Sequence, residues 1–318
     1  MNILHIQINP TPLTIEKSAF LKCVLSILIV LFHLHNQIPV GLLKYLDNFG
    51  PPIVSLFFFL SGYGLMVCRE KKGEKYLDTF FINRIIKNLI IPFVLASCIY
   101  RLINGSTLPD IQESIYNCYR LGDTAGLLPN SWFVFALFCF YLLFYMVQKG
   151  AFKHPVLILS IFILIYVVET VKAGFDWSWY ITAFAFPIGV LYATNETRLL
   201  HIWQKNSSIV LTMIICVACM ACLKSLHSMY ANMVIYMIFP SFVACIFSKF
   251  GDFHNLGTII NSIAKCSYEI YLYHGVVMLM LRSDVLYIES NTVYIFFTLV
   301  ITFIVSFIMS NVRIRLCS

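Results

Sequence analysis

Charged residues are scarce in this chain, at 12% of its 318 positions, while 60% are apolar. Soluble domains carry about 25% charged and 45–50% apolar residues. So little charge cannot cover a chain of this length without leaving a large apolar area against water. A mean hydropathy of +0.83 points to lipid as the second solvent. Other absences narrow the function. No spacing resembles a zinc site, a P-loop or a dinucleotide fingerprint, and there is no internal repeat, low-complexity tract or long linker. The formal charge of +7 does not indicate nucleic acid, because no basic stretch is both long and away from a membrane flank. Residues 1–17 are mostly polar and no small-residue cleavage site follows the first apolar run, so that run is expected to be a retained span rather than a signal peptide. The eleven cysteines form no disulfide framework. Most sit in apolar runs, where they behave as small apolar side chains. Cys216 and Cys219 have metal-ligand spacing but no histidine nearby, and are read as helix packing.

Apolar runs are what remains, and their charged punctuation predicts spans at 18–37, 50–68, 84–101, 131–147, 155–171, 178–194, 208–223, 230–248, 266–281 and 293–311. Ten spans of about 20 residues account for about 200 positions. The expectation is one all-α polytopic domain over residues 1–318. Lysine and arginine alternate across the loops: sixteen fall on the side of the N-terminus and six on the other. Cytoplasmic loops concentrate these residues, so both termini are expected in the cytoplasm. The longest loop on the other side, about 102–130, holds one short amphipathic stretch and is expected to cap an outward-facing cavity.

Ionisable groups within a bilayer are costly, about 2.5–3.5 kcal/mol at a helix centre, and mark function. In the first span Lys22 and His33 are eleven positions apart. At 100° per residue they lie within about 20° of one face and about 16 Å apart along the axis. Ser26 shares their stripe; His35 does not. Snorkelling of Lys22 and an ordinary hydrogen bond from His33 would explain the pair equally well. The second span holds Ser61, Gly62 and Gly64, which permit close helix approach. Arg84 and Lys87, three apart, share a helix face and suit either phosphate groups or a membrane anchor. Later come Glu269, Tyr273 and His274. Lys265 can pair with Glu269 at i, i+4, Tyr271 lies between Ser267 and His274 on one stripe, and His274 lies nearer the middle of its span. Trp132, Trp177 and Trp179 suit an interfacial aromatic belt, and His201, His227 and His254 are read as solvated.

In order along residues 17–280, these segments resemble membrane acyltransferase family 3, the integral-membrane O-acyltransferases of bacterial surface glycans. The shared features are a basic residue separated by ten residues from a histidine (Lys22, His33), then F-F-x-L-S-G-Y ending at Tyr63. They continue with R-x-x-K before Pro92, the Trp132–Phe133 pair, and S-Y-E-I-Y-L-Y-H ending at His274. Lys22 and Lys87 stand where the family usually has arginine, so charge is kept while the bidentate fork is lost. An appended serine-hydrolase-like domain, present in some relatives, is not expected. The resemblance implies transfer of an acyl group, acetyl above all, from acyl-CoA as co-substrate to a hydroxyl of a surface polysaccharide or its lipid-linked precursor. It places the protein in the bacterial inner membrane, with no bound cofactor, no metal and no nucleic-acid partner. It also assigns roles: His33 catalytic, Lys22, Arg84 and Lys87 on the donor's phosphates, and Ser61, Glu269, Tyr273 and His274 supporting or on the acceptor side. A glycolipid transporter or flippase is the alternative, and would be expected to show paired repeats with broken helices.

Overall fold

The structure, a computed structural model, describes residues 10–39, 41–249 and 257–317; His254 lies outside them. The chain runs through α1 (Ile15–Gln37), α2 (Gly50–Lys72), α3 (Glu74–Asp78), a π-helical stretch Phe81–Ile90 continuing into α4 (Ile91–Asn104), and α5 (Leu108–Leu121). Then follow α6 (Trp132–Lys149), α7 (Pro155–Lys172), α8 (Ala185–Ile202), α9 (Asn206–Lys224) and α10 (Met229–Lys249). The chain closes with α11 (Thr258–Lys265), α12 (Ser267–Leu281) and α13 (Asn291–Cys317). Among the described residues there is no strand, only an isolated bridge between Arg282 and Tyr287.

Among the described residues, eight helices are long and apolar enough to cross a membrane: α1, α2, Phe81–Asn104, α6, α7, α9, α10 and α13. The sixth and ninth expected spans fall short for different reasons. In α8 the polar run Thr194, Asn195, Glu196, Thr197 and Arg198 dilutes the apolar face. Its start is Ala185 rather than 178, because Asp176 caps a short 3-10 turn at Trp177–Trp179 and the chain turns again before Pro187 can enter the first helical turn. Helix α12 has only 15 residues, ten of them buried. Helix α12 and the first half of α8 (Ala185–Ala193) are enclosed by neighbours, so neither needs an apolar face toward lipid there. The contrast is clearest in α2, whose most apolar stretch is 61% buried, and α9, at 6%.

Close backbone contact fixes the centre. A Cβ on Gly62 would lie 2.2 Å from the Phe186 carbonyl oxygen, and one on Gly189 would lie 2.1 Å from the Phe59 carbonyl oxygen. The two glycines thus let α2 and α8 meet backbone to backbone, and this pair makes the most extensive contact in the fold. Gly64 faces open space and plays no such part. Polar contacts gather the basic loops at one end: Lys149 on Asp78, Lys249 on Asn206 and Arg313 on Asn88. At the opposite end Tyr294 donates to Gln37 Oε1 at the end of α1 (2.7 Å), and Arg101 donates to the Gly126 carbonyl.

Candidate active site

Two histidines from distant parts of the chain meet. The His33 ring of α1 stacks on His274 of α12, with centroids 4.8 Å apart and planes 28° apart. His274 is fully buried. Its Nδ1 lies 3.2 Å from the Ile270 carbonyl, the usual i−4 acceptor on a helix, and its Nε2 has no partner among the described residues. His33 is half-buried and lines a cavity of about 580 Å³ toward the end of α1 away from the basic loops. One turn before His274, Tyr271 also lines this cavity, packs on Phe133 (5.0 Å) and donates its hydroxyl hydrogen to the Asn130 carbonyl. Asn130 adopts φ +62°, a conformation asparagine tolerates better than most residues. The Trp132–Phe133 segment is therefore a wall of the site rather than only a membrane-interface belt. The 102–130 loop contributes as expected: Leu121 to Ala125, at the end of its helix α5, line the same cavity.

The cations lie elsewhere. Lys22 interacts with Arg84 and Cys68, and it is not among the residues lining the His33 cavity. Between Lys22 and His33, Leu25, Ser26 and Ile29 are buried, and Ser26 donates to the Lys22 carbonyl. The His33 cavity reaches along α1 as far as Ile29 and not to Lys22, with Leu25 and Ser26 packed between. Arg84 donates through Nε to the Tyr76 hydroxyl (3.1 Å) and approaches Cys68 Sγ at 3.5 Å. It opens on a second cavity of about 300 Å³ with Lys72, Lys75, Tyr76 and Asn83. Lys87 does not line this cavity. Both cations fall in the π-helical stretch, where i→i+5 bonding widens the turn, so a three-residue spacing no longer puts two side chains on one face.

The remaining candidates support the walls. Ser61 is hydrogen-bonded to Tyr141 on α6. Tyr273 is buried with its hydroxyl unpartnered, away from the His33 cavity. Glu269 pairs with Arg313 of α13 (2.8 Å), not with Lys265. The helix breaks at Cys266 between α11 and α12, so positions 265 and 269 do not belong to one helix. Sequence reading took Arg313 only as part of the basic flank. Spacing alone gives no role to Asp123, Asp176 and Thr182, which line the His33 cavity from two loops; an aspartate just before W-S-W is the one available signal.

A bundle of apolar helices, with paired imidazoles at the wall of one cavity and a cationic cavity toward its basic end, defines a multi-pass membrane protein with a polar site inside it. The family model described as an acyltransferase domain, acyltransferase family 3, matches residues 18–311. The chain belongs to this family and is an acyltransferase. No curated protein and no solved structure matches it.

Proposed function

We propose that this protein is an O-acyltransferase that moves an acyl group, acetyl in the first instance, from acyl-CoA to a hydroxyl of a surface glycan or its lipid-linked precursor. The observation that carries this reading is the His33–His274 stack at the cavity wall. The excess of Lys and Arg at the basic end supports a cytoplasmic location for it and an inner membrane around the bundle. There the cavity beside Arg84, Lys72 and Lys75 suits the donor's phosphates, with Lys22 behind Arg84 adding to the positive field.

At the other cavity His33 serves as general base. An acceptor hydroxyl gives its proton to the His33 imidazole while its oxygen attacks the thioester carbonyl carbon. The carbon–sulfur bond breaks, coenzyme A leaves as a thiolate, and the proton passes to that sulfur. His274 stacks on His33 from the α12 side. Its Nδ1 contact with Ile270 fixes the ring that sets the orientation of His33. Lys22 and His33 lie about 16 Å apart along the α1 axis, the order a pantetheine arm spans, and on this reading the arm enters by displacing the side chains packed around Leu25 and Ser26. The test uses membranes containing the protein, acetyl-CoA labelled in the acetyl group, and glycan from the producing cell. The label should pass to glycan with wild type and not with His33→Ala at equal protein level; equal transfer by both ends the reading.

A further inference from the structure

The His33 cavity has a chemistry of its own, and no Lys or Arg is among its lining residues. Its rim instead carries two carboxylates on separate loops. Asp123 Oδ1 accepts from the Ala125 amide and Asp176 Oδ1 from the Ser178 amide, each at 2.9 Å, so each carboxylate is oriented with its second oxygen left to accept a further donor. The Trp179 indole N–H donates to the Gly122 carbonyl at 3.1 Å and ties the two loops together. Trp132 and Trp179 lie 6.5 Å apart, and Trp177, about half exposed, stands beside Asp176. Thr182, also on the cavity wall, is 2% exposed and its hydroxyl has no partner among the described residues. A buried hydroxyl without a partner costs stability, and a ligand supplying a hydrogen-bonding group would offset that cost.

We propose that this cavity is an acceptor subsite for a sugar unit without negative charge, neutral or amino. The C–H faces of a sugar ring are slightly positive and lie against the negative faces of indole rings. Sugar hydroxyls, or an ammonium, donate strongly to carboxylates, and Thr182 takes a hydroxyl at the floor. A uronic or sialic acid would instead meet Asp123 and Asp176 with no cation to pair it, and juxtaposed like charges are penalised. The assignment rests on the reading that an acceptor hydroxyl is brought to His33.

The full-length protein in detergent is applied, without acyl donor, to an array of neutral, amino, uronic and sialylated oligosaccharides; acetyl transfer to the same members is then measured with acetyl-CoA. Wild type should bind neutral or amino members and leave their uronic counterparts. The isosteric pair Asp123→Asn and Asp176→Asn should raise the uronic-to-neutral binding ratio by about tenfold or more. Trp177→Ala should weaken binding of every sugar about five- to tenfold. Preference for acidic members, no binding to any member, or an unchanged ratio in the asparagine variant overturns the proposal. Selective binding without acetyl transfer leaves the subsite standing and removes the enzymatic reading. Acetyl transfer that favours acidic acceptors does the reverse.

Discussion

Adding one methyl group at the α2–α8 seam gives a sharp test of the packing that holds the site. In Gly62→Ala the new Cβ would sit 2.2 Å from the Phe186 carbonyl oxygen. An ordinary carbon–oxygen contact is about 3.3 Å, so the helices must part by about 1 Å. That oxygen belongs to the backbone and cannot rotate away. Overpacking of this kind costs about 1–3 kcal/mol, which for a chain of this size lowers Tm by roughly 1.5–4.5 °C. Gly189→Ala meets the Phe59 carbonyl at 2.1 Å and should cost about as much. Because both contacts lie on one seam, a single separation relieves both. The double variant should therefore be less destabilised than the two singles added together. The same separation shifts Val54 and Thr182, on the two walls of the His33 cavity, so acyl transfer should fall with stability. Thermal unfolding in detergent micelles reads the Tm values. An unchanged Tm for Gly62→Ala, or full additivity in the double variant, would refute the reasoning.

Other expectations follow from single contacts. Arg313→Ala leaves the Glu269 carboxylate, 1% exposed, without its cation and should cost about 3–5 kcal/mol; adding Glu269→Gln should restore part of the lost Tm, and a further drop would contradict the pairing. Arg84→Gln should raise the KM for acyl-CoA about tenfold or more with a smaller effect on kcat, since a hydrogen bond to a charged group is worth about 1.5–3 kcal/mol; Lys75→Gln, on the same cavity wall, should do likewise more weakly. The Thr107 hydroxyl and amide hold Asp110 below the usual carboxylate range, with a lowered folded-state value. Its contribution to α5 is therefore complete above the unfolded value and lost as pH falls through the folded one. Amide exchange in α5, corrected for intrinsic rates, should stay flat from about pH 7 to 5 and quicken only in stronger acid; Asp110→Asn should abolish that dependence.

The sequence revealed periodic features and missed contingent ones. Apolar runs bounded by charge located the long helices because lipid demands about 20 uninterrupted residues. The rule weakened where neighbours replaced lipid, at α12 and the first half of α8, and where the polar second half of α8 leaves too short an apolar run. The face shared by Lys22, Ser26 and His33 follows from α-helical rotation and holds as a stripe. Whether a stripe lines a cavity depends on what packs against it: Ile29 and His33 line one, while Ser26 and the neighbouring Leu25 are packed over. The shared α-helical face of Arg84 and Lys87 is lost to a backbone change that no residue type announces, the widened turn of the π stretch. His274 was legible as an unexplained imidazole in an apolar segment, but not its stacking on His33, which joins residues more than two hundred positions apart. Arg313 was hidden for the same reason, its partner Glu269 lying one helix away. Asp123, Asp176 and Thr182 sit in loops, where spacing carries no geometric rule.

The account stands most directly on His33. Mass spectrometry of surface glycans from cells producing wild type or His33→Ala, at matched protein level in the membrane, measures its role. A general base contributes about 10²–10⁴-fold to rate, so the variant's glycans should lose the mass of one acyl group per modified unit. Glycans that keep that mass in the variant would contradict the account.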